Sequence, residues 1–249
     1  MSSNASLIRV ESICRRYAGG VEALAGVSFT AGAGEIVAVT GPSGCGKSTL
    51  LALLGLLDQP TAGRVIVGGQ DLAVIRHPAQ FRARTVGFVF QFHHMVPTMT
   101  LLENVAAPMI AIGVPRRERQ ARALGLLEGM GLAARARFLP RHVSGGERQR
   151  AAVARALVNR PAIILADEPT GNLDTGNGEV VVELLVRQAR DHGALVIMAT
   201  HNPEVARVAD WRLELRDGVV VGHDASPVPH PGTPGPPIRP RPAPLLIRP

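Results

Sequence analysis

Residues Gly41–Thr49 read GPSGCGKST, between the apolar run EIVAVT (Glu35–Thr40) and the leucine-rich stretch TLLALLGLL (Thr49–Leu57). A strand that meets a G-x-x-x-x-G-K-[ST] turn opening a helix is a phosphate cradle. Gly41, Gly44 and Gly46 let the backbone wrap closely, with its N–H groups turned inward. Pro42, Ser43, Cys45 and Thr49 complete the loop, and the helix start adds its partial positive charge. Lys47 supplies an ammonium for the β and γ phosphates, and Ser48 a hydroxyl for Mg²⁺. Of the 27 basic residues, Lys47 alone is a lysine. A chain that otherwise uses arginine has placed its one compact, flexible cation in this loop.

Outward from the cradle, AIILADE (Ala162–Glu168) is a buried strand ending in two carboxylates. Once a phosphate loop calls for a metal, Asp167 is placed to reach Mg²⁺ through water. Glu168, one residue further along the strand, is placed to polarise the attacking water. The alternation of helix GERQRAAVARALV, strand AIILADE, helix NGEVVVELLVRQARDHG and strand ALVIMATH predicts parallel strands with crossover helices. Residues 7–39 read as strands joined by Gly-containing turns, and WRLELRDGVVVGH as a hairpin turning on Asp217-Gly218. The stretch from about 92 to 142 is mostly helical in pattern, with Pro115 suited to a first turn.

Size and composition narrow the class. A chain of 249 residues, 46% hydrophobic, can bury a sizeable core. Cys14 and Cys45 form no C-x-x-C pair, and MSSNASLIRV lacks a signal-peptide apolar run, so a reducing cytoplasm is expected. No run reaches the roughly 18 apolar residues that cross a bilayer, so a membrane role needs a partner chain. The net charge of +7 is spread along helical patterns, and no nucleic-acid partner is expected. Beyond Asp224 lie half of the 20 prolines, which predicts a disordered or polyproline tail over 225–249, with PxxP docking as the alternative.

VSGGERQR (Val143–Arg150) settles a resemblance. With the phosphate loop, Gln91, LADEPTGNLD and ATHNP, it resembles the ATP-binding-cassette (ABC) ATPases, with five motifs in family order across roughly residues 7–223. The segments QFHHMVP and TGNLD are similar to those of the lipoprotein-releasing and macrolide-export branch. The resemblance implies an α/β fold: a P-loop core with a mainly parallel sheet, an N-terminal antiparallel β subdomain and a helical subdomain over about 92–160. These make a single ATPase domain over 1–224. It implies a head-to-tail homodimer in which Ser144, Gly145, Gly146 and Glu147 of one chain close over the ATP held at Lys47 of the other. Ser144 also reads as a plain helix cap, which does not compete with that role. His201 is implied as the residue that holds the γ phosphate and attacking water, Asp174 as part of a loop crossing the interface, and Gln91 as a contact to Mg²⁺ and that water. Tyr17 is implied as the aromatic under adenine, with a core tyrosine as the alternative. Cys45, Val143, Glu147 and Asn202 depart mildly from the family's usual residues, and none removes a phosphate, metal or water contact.

These implications give an ATPase subunit, using ATP and Mg²⁺, peripheral on the inner face of the cell membrane and working with transmembrane permease subunits to export or extract lipoprotein, peptide or macrolide-like cargo. A cell-division or signalling regulator with the same clamp shares every motif. A soluble cassette protein of translation or DNA repair is disfavoured by the single cassette and ordinary middle section. His93 and His94, adjacent on a segment expected to be extended, should point to opposite sides, which is poor geometry for one metal. Residues beyond Gln91, with Met95, Val96 and the helix from Thr100, are expected to grip the membrane subunit.

Overall fold

Alternating apolar residues along the parallel strands decide the architecture: in 36–40, 163–167 and 195–199 odd positions face one layer and even positions the other. In the computed structural model, which describes residues 6–171 and 173–225, Val37, Val39, Leu165, Leu195 and Ile197 join one apolar cluster. Ile36, Ala38, Ile164, Ala166, Val196 and Met198 join a second. A sheet buried on both faces is the arrangement that near-continuous apolar strands require.

In chain order the elements are β1 (Ile8–Arg16), β2 (Glu22–Ala31), β3 (Ile36–Thr40), α1 (Lys47–Leu54), β4 (Ala62–Val67), β5 (Gln70–Asp71), α2 (Pro78–Thr85) and β6 (Val86–Val89). Then follow α3 (Leu101–Ala106), α4 (Arg116–Gly129), α5 (Gly145–Leu157), β7 (Ile163–Asp167), α6 (Thr175–His192), β8 (Leu195–Ala199), α7 (Pro203–Arg207), β9 (Trp211–Arg216) and β10 (Val219–Ala225). One sheet, β2-β1-β4-β5, is antiparallel. The other runs β10-β9-β3-β8-β7-β6, parallel except for the β9–β10 hairpin, which turns on Asp217 and Gly218, both at positive φ.

Helix α1 packs between the sheets, with Leu50, Leu51, Leu53 and Leu54 in the first cluster. A third cluster holds Leu101, Val105, Met109, Leu127 and Leu132, built on α3, α4 and the short 3-10 turns between them. Helix α5 serves two clusters at once: Val153, Ala156 and Leu157 face the sheet, while Ala151, Ala154 and Val158 face α3 and α4. Helix α2 escapes the sequence reading because its mean hydropathy is low and it buries no residue. His77-Pro78 is its surviving signal, since proline suits a first helical turn. Strand β10 runs to Ala225, one residue past the expected boundary, and the proline-rich tail from 226 onward lies outside the described residues.

Candidate active site

Strand register brings the predicted residues to one edge. Val39 pairs with Ala199, Ala199 with Asp167, and Ala166 with Val89, so β3, β8, β7 and β6 end level with one another. The loop at Gly41, the Thr200–His201 step, Asp167–Glu168 and Gln91 therefore leave the sheet side by side, at the carboxyl ends where open α/β sheets bind ligands.

The phosphate loop is shaped from outside. A Cβ on Gly41 (φ 139°) would stand 2.0 Å from the Leu215 carbonyl oxygen, and one on Gly46 (φ 106°) 2.4 Å from that of Ala23. Gly218 N–H donates to the Cys45 carbonyl at 3.1 Å, and Cys45 itself is buried. Lys47, 8% exposed, opens α1 and donates through Nζ to the carbonyls of Gly41 (2.8 Å) and Pro42 (2.9 Å). Ser48 and Thr49 follow in the first helical turn, and Ser43 and Gly44 form the loop's exposed tip.

Asp167 closes β7 and accepts a hydrogen bond from the Ser48 side chain. Burial, reinforced by neighbouring Glu168, raises its pKa from its ordinary value, against the opposing pull of Ser48 and Lys47. Two hard oxygen donors on adjacent strand and helix ends, short of a full protein cage, are the donor set that Mg²⁺ shares with phosphate oxygens. These residues fit the ion. A carboxyl whose folded pKa is raised binds its proton more tightly folded than unfolded, so stability is lost as pH rises through that pKa. Asp167→Asn is thus expected to raise the ligand-free melting temperature at neutral pH while abolishing the Mg²⁺ dependence of nucleotide binding. Calorimetry at pH 7, and nucleotide titration with and without Mg²⁺, check both halves.

Glu168 departs from the expectation that it continues the strand. The strand ends at Asp167, and Glu168 takes a left-handed turn (φ 45°) pinned by its N–H to the Ala199 carbonyl at 2.9 Å. The turn aims its carboxylate across the sheet edge at His201, whose Nδ1 lies 2.7 Å away and whose backbone N–H donates at 3.2 Å. Thr200, absent from the sequence reading, adds its hydroxyl at 3.4 Å. The His201 side chain that makes this contact is 68% exposed. Gln91 stands at the same corner: a Cβ on Gly171 would meet Gln91 Nε2 at 3.2 Å and Glu168 Cβ at 3.4 Å.

The residues expected to close over a partner's ATP lie at the start of α5. Ser144 accepts from the Glu147 N–H while the Glu147 carboxylate accepts from the Ser144 N–H, a complete capping box worth about 1 kcal/mol. That backbone hydrogen bond holds the Glu147 pKa below its usual value, with Arg135 adding to it at 3.1 Å. Ser144 is exposed, and Gly145 and Gly146 form the first helical turn. A Cβ on Gly146 would stand 2.7 Å from the Asn177 side chain. Asn177 in turn accepts from Arg150 (2.5 Å) and donates to Asp174 (2.7 Å), which caps α6 and has its pKa lowered by the Asn177 N–H. The structure thus joins Ser144–Gly146 and Asp174 within one chain, through an asparagine that sequence reading passed over. Gln149 does similar work, donating to the Pro169 carbonyl just past Glu168.

Tyr17 follows β1 at the surface, 39% exposed, which rules out the core alternative. Its hydroxyl donates to Asp58 at 3.3 Å, and the Arg15 guanidinium sits 4.6 Å from the ring centroid. The histidine pair corrects another expectation: His93 (φ 62°) and His94 (φ 44°) are both left-handed, forming a tight turn and not an extended segment. Among the described residues no group of three or more His, Cys, Asp or Glu side chains gathers as a metal site. Beside the turn a groove of about 310 Å³ is lined by Leu57, Phe90, His94, Pro108, Ala111 and Arg155, among others. Arg155 was not singled out from sequence, though a cation inside the apolar pattern AAVARALV is the signal that could have found it.

Comparison with known proteins follows the same lines. The family description "ABC transporter" matches residues 24–171. The chain is 50% identical over 204 residues to an uncharacterised ABC transporter ATP-binding protein of Thermotoga maritima, covering 81% of this chain and 87% of that one. It is 47% identical over 211 residues to the lipoprotein-releasing system ATP-binding protein LolD 2 of Caulobacter vibrioides, covering 84% and 92%. It is also 47% identical over 224 residues to the macrolide export ATP-binding/permease protein MacB of Brucella melitensis, covering 88% of this chain and 34% of that protein. A dimeric ATP-binding cassette in a post-hydrolysis state with ADP and Pi superposes with a TM-score of 0.83 at 36% identity, covering 88% of this chain and 98% of that one.

Proposed function

The chain belongs to the ABC transporter family and is an ATP-binding, ATP-hydrolysing subunit of the LolD and MacB kind, and from that premise we propose that two copies close around two Mg·ATP to drive export or extraction through separate membrane subunits. The observation that carries this is the presence of two phosphate cradles in one chain: a loop with a buried Lys47, and an exposed helix start at Ser144. One belongs to the sheet edge and the other to a helix shared with a separate apolar cluster. A two-fold dimer uses both, each Ser144 closing over the partner's loop. The dimeric neighbour with ADP and Pi supports this arrangement.

Within each site Lys47 turns from the Gly41 and Pro42 carbonyls toward the β and γ phosphates, and Tyr17 stacks on the base. Mg²⁺, when bound, neutralises charge between phosphate oxygens. Ser48, Asp167 and Gln91 would hold it. Glu168 takes the proton of the attacking water, and His201 fixes the carboxylate's direction and contacts the γ phosphate. Asp174 and its partner Asn177 tie the second cradle to the dimer seam. Residues of about 92–160 move as a helical subdomain with α5 at its inner edge. The LolD and MacB likenesses support cargo of lipoprotein or macrolide type, with peptide as a further class.

Among the described residues no helix is long and apolar enough to cross a membrane. The LolD likenesses support a peripheral subunit on the cytoplasmic face. The groove between Leu57 and Ala111 suits an apolar segment of the membrane subunit. Co-expression with the transporter's membrane subunit, followed by affinity capture in detergent, tests this. Leu57→Glu and Ala111→Glu, each with an unchanged melting temperature, are expected to cut capture by about tenfold or more, since burying an unpaired charge costs several kcal/mol. Tight binding to ribosomes or DNA at physiological salt, with no membrane protein retained, would overturn the reading.

A further inference from the structure

The turn after Gln91 holds two consecutive non-glycine residues in the left-handed region, His93 and His94. Each costs about 1 kcal/mol or more, so the turn persists only where its surroundings hold it. Arg155, in the last turn of α5, does so with both guanidinium amines: one donates to the His94 carbonyl at 2.6 Å and the other to that of His93 at 2.5 Å. Successive carbonyls spaced this way match a planar fork, which an ammonium lacks. Burial alone lowers the Arg155 pKa. From the other side the His94 ring stands edge-on to Phe90 at 4.8 Å, and Phe90 stacks on Phe88 of β6 at 5.3 Å. The His93 ring lies against the start of α5, near Gly145 and Arg148.

Gln91 is therefore caught between Phe90, fixed to the sheet, and a turn fixed to α5. We infer that Arg155 is the positioning residue of the Gln91 corner: by clamping the His93–His94 carbonyls it sets where Gln91 stands relative to Glu168, and ties that corner to the helix that Ser144 caps. The inference rests on the reading of Gln91 as part of the hydrolysis site. It also gives the groove a route to that site, because Arg155, His94 and Phe90 form part of the groove wall.

The test uses the full chain with Arg155→Met, Arg155→Lys, Gln91→Ala and the Arg155→Met/Gln91→Ala double variant. Readouts are ATP turnover, melting temperature, and hydrogen exchange of the Phe92–Met95 amides without nucleotide. Arg155→Met is expected to speed that exchange and lower kcat by about 10- to 100-fold. KM for ATP should change by no more than about threefold, and Arg155→Lys should recover part of both effects. Added to Gln91→Ala, Arg155→Met should bring no further loss of kcat, because both remove the same placement. If Gln91→Ala leaves turnover intact, the reading of Gln91 falls. If it lowers turnover and Arg155→Met multiplies the loss independently, the positioning inference alone falls. Should Arg155→Met fail to fold, Arg155→Lys decides: faster exchange with full turnover overturns the inference.

Discussion

Glu168→Gln is expected to lower ATP turnover by about 10²- to 10⁴-fold, the range for loss of a positioned general base. The amide fills the same volume beside Gly171, and its oxygen can still accept from His201 Nδ1, so the geometry at the sheet edge persists. What is lost is the capacity to take a proton. ATP should then bind and stay, and an ATP-dependent dimer should accumulate on size exclusion. Turnover that survives the change would show that another group activates the water. A dimer formed equally without ATP would separate assembly from the nucleotide.

The second large effect belongs to Lys47. Its ammonium, 8% exposed, sits against the Gly41 and Pro42 carbonyls. Lys47→Ala removes a charge-assisted contact worth about 1.5–3 kcal/mol, or about 10- to 100-fold in nucleotide Kd. Turnover should fall further, by roughly 10³-fold, since the same ammonium stabilises charge that grows in the transition state. Lys47→Arg should not rescue, because a single Nζ serves both carbonyls in this buried loop and the bulkier guanidinium has no room there. Titration with a fluorescent nucleotide separates the binding loss from the catalytic one.

Both residues were legible in the sequence, for the same physical reason. A Gly-rich turn between a strand and a helix, and a carboxylate pair closing an apolar strand, are local patterns whose chemistry is written in adjacent residues. The doubly buried sheet was legible likewise, through its apolar runs. What sequence alone missed depends on contacts between distant segments. Glu168 reads as the end of a strand, yet its left-handed turn and its direction toward His201 arise from a hydrogen bond to Ala199. His93 and His94 read as extended, since non-glycine residues rarely adopt positive φ. The force that holds them there comes from Arg155, 61 and 62 positions away. Asn177 was passed over because its meaning lies in meeting Gly146 and Arg150 across two helices. Helix α2 was missed because it buries no residue fully, with only Phe81 packed against the first cluster, and so leaves no apolar period.

The phosphate loop's dependence on Leu215 and Gly218 has a bearing on the order in which the chain acquires competence during synthesis. Residues 41–49 leave the ribosome early, but the carbonyl that abuts Gly41 and the N–H that fastens Cys45 belong to the β9–β10 hairpin, among the last described segments to be made. A nascent or truncated chain that stops before Leu215 carries the complete motif without the wall that shapes it. Such a fragment is expected to remain blind to ATP, so a prematurely terminated product would neither hydrolyse nucleotide nor join a partner in an unproductive clamp.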